Sequence, residues 1–205
     1  MAVSHKRREM DGIQSDYERD HGLALLRKGA IQYVAGEGSL KPVAVILGEA
    51  PGQHEDEEGK PFCGTAGELL DSLIELVGLT RGDFYITNVV KYRPSRNRTP
   101  TDLEVKYSYP YLARELDVVN TKHVIAMGRV ALDALFRGRG LTPQPLGQTH
   151  GYRHEGLVEG KFVWSTYHPA ATFYRRDLYD VLVDDFSHII REILGMEAEN
   201  GAETT

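Results

Sequence analysis

Apolar positions recur along the chain in two rhythms: short, nearly unbroken runs, and longer stretches spaced three and four residues apart. The runs are Pro42 to Leu47, FYITNVV from Phe84, His123 to Met127 and Lys161 to Thr166. Runs of this length, rich in β-branched and aromatic residues, predict parallel strands covered on both faces. Between them the spacing turns helical. Leu69, Leu70, Leu73, Ile74 and Val77 form one stripe, in a helix predicted to begin near Ala66 behind a Thr65/Glu68 capping box and to close at Gly78. A second capping box, Thr101/Glu104, opens a helix to about Val118; Val130 to Phe136 and Asp177 to Leu194 make two more, and Asp16 to Tyr33 also reads as helical. The segment SRNRTPTDLE after Pro94 is predicted to be a loop. From Gly138 to Gly160 the density of Gly and Pro predicts a long loop with a hairpin, leaving HGYRHEG exposed. Four strands alternating with helices imply an α/β fold, a three-layer α/β/α arrangement around a central four-stranded parallel sheet. The 205 residues are expected to make a single domain over 1–205, with about 1–15 and 196–205 flexible.

Composition narrows the class. Hydrophobic content of 41% and charged content of 26% are ordinary for a globular chain, and no apolar run approaches the roughly 20 residues of a membrane helix. The opening MAVSHKRREMDG carries positive charge with no apolar stretch behind it, so the chain reads as cytoplasmic, without a secretory signal or a membrane partner. One cysteine, Cys63, excludes an internal disulfide and a thiolate metal site, and no Cys/His group has ligand spacing, so no metal is expected. A net charge of −6 argues against wrapping nucleic acid over the whole surface, but the basic residues are clustered. KYRPSRNR, from Lys91 to Arg98, has four basic side chains in eight residues with no acid, and Arg175 with Arg176 makes a second cluster. Both follow predicted strand ends. In a parallel sheet they would rim the same edge as the acidic, Gly/Pro-rich loop from Gly48 to Gly64, where open α/β sheets bind their ligands.

Three ordered stretches carry a resemblance that covers about Val34 to Leu194: GEAPG with GKPFCGTAGELLD, ITNVVKYRP, and TYHPA. Together they resemble the signatures of the uracil-DNA glycosylase superfamily, specifically its family four. The resemblance implies a monofunctional glycosylase that hydrolyses the N-glycosidic bond of uracil in single- or double-stranded DNA during base excision repair, acting as a monomer. It implies that His168 donates to uracil O2, that Asn88 reads the base edge, that Phe62 stacks on the flipped base, and that Glu49 and Pro51 line the pocket. Glu49 and Glu55 are the acidic candidates for handling water or the sugar cation, because Ala50 stands where another branch of the superfamily has a water-positioning aspartate. Arg93, Arg96, Asn97 and Arg98 would touch DNA, as would Arg175 and Arg176, with Phe173 or Tyr174 as a wedge.

The family also implies an iron–sulfur cluster on four cysteines. Here Tyr92 stands where one cysteine is expected, Ser108 is placed at the next, and the two N-terminal ligands have no counterpart. No cofactor is therefore expected, and Tyr92, Tyr107, Tyr109 and Tyr111 are expected to pack that corner. KYRPSRNRTP lacks the histidine of a covalent DNA-capturing relative. Two other readings stay open: a glycosylase for another base, since pocket shape decides substrate, and a non-catalytic DNA- or nucleobase-binding module on the same fold.

Overall fold

The computed structural model describes residues 2–202, with side chains from 5 to 195. In chain order its elements are α1 (Ala2–Arg19), α2 (Ala24–Lys28), β1 (Glu37–Gly38), β2 (Ala44–Gly48), α3 (Gln53–Glu58), α4 (Thr65–Leu76), β3 (Phe84–Asn88), α5 (Asp102–Val118), β4 (His123–Met127), α6 (Arg129–Gly138), α7 (Leu146–Thr149), β5 (Arg153–Val158), β6 (Lys161–Thr166) and α8 (Leu178–Ala202). Among the described residues the sheet has six strands in the order β1-β3-β2-β4-β6-β5, the expected central four with one more at each side. Its middle four, β3, β2, β4 and β6, are parallel, as their apolar runs predict, and an antiparallel strand is added at each side. All five positions of β2, β3 and β4 are buried. Val45 and Leu47 face one core, with α5 and α6 above them, and Ala44 and Ile46 face the other, with α4 and α8.

The N-terminal segment differs from its flexible expectation. Residues 2–19 are helical, because Met10, Ile13 and Tyr17 place an apolar stripe on an otherwise polar helix, with Tyr17 fully buried. The expected helix from Asp16 to Tyr33 is broken at Asp20, whose carboxylate accepts from Gly22 N–H and caps a 3₁₀ turn. At the other end α8 reaches Ala202; the last three residues of the expected tail lie outside the described residues.

The tyrosine corner also differs in membership. Tyr17 is its hub, with ring centroids 5.4 Å from Tyr33, 5.7 Å from Tyr92 and 5.1 Å from Tyr111. Its hydroxyl lies 2.8 Å from Ser108 Oγ and accepts from Lys91 N–H at 3.0 Å. Tyr107 is exposed, and Tyr109 packs instead on the backbone of Gly138, where a β-carbon would collide with its ring.

Beneath the end of β3 lies a buried ion pair. Lys91, fully buried, donates through Nζ to Glu115 Oε2 at 2.5 Å and to Thr87 Oγ1 at 2.5 Å, while Glu115 Oε1 accepts from Tyr85 and Thr87 hydroxyls.

Candidate active site

Because the middle strands are parallel, the segments following β2, β3, β4 and β6 converge at one edge of the sheet. There Gly48, Phe62, Asn88 and His168 meet. Phe62 and His168 stack, with ring centroids 5.3 Å apart and planes 26° from parallel. A β-carbon at Gly48 would collide with Asn88 Oδ1 and the Phe62 ring, so only glycine lets these two side chains pack directly onto the end of β2. Phe62 holds a φ of 51°, a left-handed conformation strained for a side chain of its size. The strain is held in place by Gly67 of α4, where any β-carbon would strike the Phe62 carbonyl.

Asn88 is 3% exposed, and its Oδ1 is the buried side-chain polar atom without a partner among the described residues. A buried acceptor without a partner costs about 1–3 kcal/mol, and a donor brought to it would remove that cost. His168 offers the complementary group. Ala170 N–H donates to its Nδ1 at 3.1 Å, which makes Nδ1 an acceptor and puts the ring proton on Nε2. Burial lowers its pKa to about 4, against the opposing pull of Glu55, so the ring is neutral at pH 7. Gly128, at φ 93°, gives the loop room: a β-carbon there would lie 3.0 Å from His168 Cβ.

One pH dependence follows. The folded pKa is depressed, so the unfolded chain binds the proton first and stability contributed by the neutral ring is lost as pH falls from about 6.5 towards about 4. His123, buried and accepting from Trp164 Nε1–H at 3.4 Å, is lowered to about 4 by burial and behaves the same way. The part of turnover that depends on His168 should stay flat from about pH 8 to about pH 5 and fall as Nδ1 is protonated against Ala170 N–H, in addition to any loss as the raised Glu49 carboxyl takes up its proton. A kcat profile with an inflection near the ordinary imidazole value of about 6.5 that vanishes in His168→Gln would contradict this assignment.

The acidic loop is more ordered than its composition predicts. Glu55, in α3, accepts from Gly52 N–H at 3.0 Å through Oε2 and from Cys63 and Gly64 N–H at 3.0 and 2.9 Å through Oε1. The carboxylate thus ties GEAPG to PFCG and takes over the start of α4: the helix begins at Thr65 with Gly64 as its N-cap, not behind a Thr65/Glu68 box. Asp56 is buried on the amides of Ile31 and Gln32. Glu49 is half-buried; burial pushes its carboxyl up, opposed by Arg129 and a hydrogen bond from Thr99. Pro51 is buried in the same turn.

On the rim the basic residues divide. Arg98 is held by Glu104 in a two-pronged pair at 2.7 and 2.6 Å, Arg93 Nε donates to Asn97 Oδ1 at 2.6 Å, and Arg175 pairs with Asp177 at 2.5 Å. Arg96 and Arg176 have no side-chain partner among the described residues, and both are exposed. Phe173 and Tyr174 are 48% and 90% exposed, in the turn that follows His168. Sequence reasoning missed Arg129 and Thr99, which face Glu49; Gly128-Arg129, directly after a buried strand, was the available signal.

The family model of the uracil DNA glycosylase superfamily matches residues 35–192. A type-4 uracil-DNA glycosylase of Saccharolobus solfataricus is 40% identical over 159 residues, covering 76% of this chain and 74% of that protein. The corresponding enzyme of Pyrobaculum aerophilum is 44% identical over 140 residues, covering 67% and 71%, and that of Thermotoga maritima is 33% identical over 183 residues, covering 88% and 93%.

Proposed function

We infer from the premise that the chain belongs to the uracil DNA glycosylase superfamily that it is a uracil-DNA glycosylase, a hydrolase that cuts the N-glycosidic bond and leaves an abasic site for base excision repair. The observation that carries the reading is the open Asn88 Oδ1 in a pocket closed by Phe62 and His168. Uracil N3–H is a donor and fits that acceptor; cytosine N3 is an acceptor and would leave two lone pairs facing each other in a buried site. As the bond breaks, negative charge moves onto the base, and His168 Nε2–H donates to O2. A neutral donor held in advance stabilises that charge without transferring a full proton. The sugar becomes cation-like, and Glu49 is assigned to orient water towards it, while Glu55 fixes the two pocket loops and places its charge near His168. The base must leave the stack to reach this pocket; Phe173 and Tyr174 are assigned to fill the vacated space, and Arg96 and Arg176 to hold phosphates.

We also propose that the enzyme works without an iron–sulfur cluster. The residues do not fit one: the chain has a single cysteine, and Tyr92 and Ser108, at the positions expected to be ligands, both contact the fully buried Tyr17. Hydrogen-bonded aromatic rings supply the packing there. Purified protein should be colourless and free of stoichiometric iron by metal analysis; a visible charge-transfer band accompanied by iron would overturn this.

The activity is tested by incubating the protein with oligonucleotides carrying uracil, hypoxanthine or thymine and assaying alkali-labile sites. Cleavage confined to uracil is expected. Preference for another base would move the assignment to a different glycosylase, and binding without cleavage would favour a non-catalytic module.

A further inference from the structure

Phe62 keeps its left-handed backbone because the peptide groups on both sides of it are held from outside their own turn. On the C-terminal side Glu55 accepts from Cys63 N–H at 3.0 Å. On the N-terminal side the Pro61 carbonyl accepts from Arg81 Nη2, a residue twenty positions further along the chain. The first contact fixes the peptide plane that turns with ψ of Phe62, and the second the plane that turns with φ. Together they hold the dihedral pair that a side chain of this size rarely adopts.

Arg81 is itself well anchored. It opens the 3₁₀ turn Arg81–Asp83 that leads into β3, and the Asp83 carboxylate caps this turn by accepting from Thr80 N–H at 2.8 Å and Thr80 Oγ1 at 2.7 Å. Its Nε and Nη2 donate to Glu37 Oε1 at 3.1 and 3.0 Å, and its Nη1 donates to Asp71 Oδ1 at 2.9 Å. Glu37 belongs to β1 and Asp71 to α4, so two separate elements set the plane of the guanidinium before it reaches Pro61. Partly exposed ion pairs of this kind add little stability by themselves. What they supply here is direction, because a planar fork held at two corners aims its remaining N–H along a fixed line.

We propose that Arg81 is a positioning residue for base binding: by holding the Pro61 carbonyl opposite the grip of Glu55 on Cys63, it keeps the Phe62 ring where the extruded base stacks on it. This rests on the glycosylase reading above, with Phe62 as the stacking surface. Without the fork, the Pro61–Phe62 peptide is free to turn towards the ordinary negative φ, and the ring turns with it.

The test is single-turnover excision of uracil from a duplex, run beside binding to the same duplex carrying a tetrahydrofuran abasic site, which has no base to stack. Arg81→Met should lower the excision rate about tenfold, within the range of losing one aromatic–base stack, and leave abasic affinity unchanged. Arg81→Lys keeps the charge, but one ammonium cannot span three acceptors in a plane, so it should lose rate nearly as far. In a Phe62→Leu background, where the ring is gone, either substitution should lower the rate no further. Thermal unfolding checks that each protein is folded, and Arg81→Lys carries the comparison if Arg81→Met is not. Wild-type rates in the folded Arg81 variants overturn the proposal. So does the same loss in the Phe62→Leu background, or a parallel loss of abasic affinity, since either makes Arg81 a tie between β1 and α4 and nothing more. If these results come with a wild type that excises uracil, the glycosylase reading stands and only the role of Arg81 falls; a wild type without excision removes both.

Discussion

Uracil release by His168→Ala and by Asn88→Ala is expected to fall by about two to four powers of ten, the scale of losing one preorganised donor or acid–base group at the reacting centre. The two losses should differ in kind. His168 meets charge that exists only as the bond breaks, so its removal lowers kcat with little change in KM. Asn88 meets a base edge present from the start, so its removal should also relax discrimination against cytosine. Asn88→Asp is the sharper probe of the edge, since the second carboxylate oxygen would face uracil O4 where an amide donates. Single-turnover rates on uracil- and cytosine-containing duplexes, with folding checked by thermal unfolding, read both effects. Wild-type rates in folded variants would place the chemistry elsewhere in the molecule.

The second large effect is on stability. Lys91→Met should destabilise by about 3–5 kcal/mol, because it leaves Glu115 charged and buried with only the Tyr85 and Thr87 hydroxyls. For a chain of this size that is about a 10 °C fall in Tm. Pairing it with Glu115→Gln should recover much of the loss, since an uncharged pair no longer needs charge balance, and the double variant should be more stable than the sum of the singles predicts. Thermal unfolding of the four proteins tests this. Equal, additive losses would mean that Lys91 contributes packing alone. Thr87 belongs to this network and Asn88 follows it in the chain, so a loosened Lys91 should also blunt base selection.

The parallel strands were legible because burial on both faces writes an unbroken apolar run, and Asn88 and His168 were legible because each stands at the end of such a run inside a matching motif. The Thr101/Glu104 cap was readable for the opposite reason: both partners lie within one turn. What stayed hidden depends on contacts between distant residues. Tyr17 and Ser108 are 91 positions apart, and nothing local marks α1 as the source of the hub. Glu55 reads as one acid in an acidic loop, and only the path of the chain brings Cys63 and Gly64 N–H to it. Arg98 looked free for phosphate because its partner, Glu104, was already assigned to the helix cap; the carboxylate does both, accepting from Thr101 N–H and from the guanidinium. The strand β1 escaped notice because it is two residues long, and β5, RHEGLV, was legible only as part of a hairpin in a loop because it is mostly polar.

Those two strands finish the sheet on its open sides. β1 pairs over only Glu37 and Gly38, and β5 loses register between His154 and Val158, with Gly156 at a φ of 76° inside the break. Arg153 and Glu155 add charge to the same strand. A second chain seeking to add a strand would find either too short a row of amides or a bent and charged one. Aggregation by edge-to-edge growth is thereby obstructed at both borders, while the flat, apolar strands that would propagate it are enclosed between them.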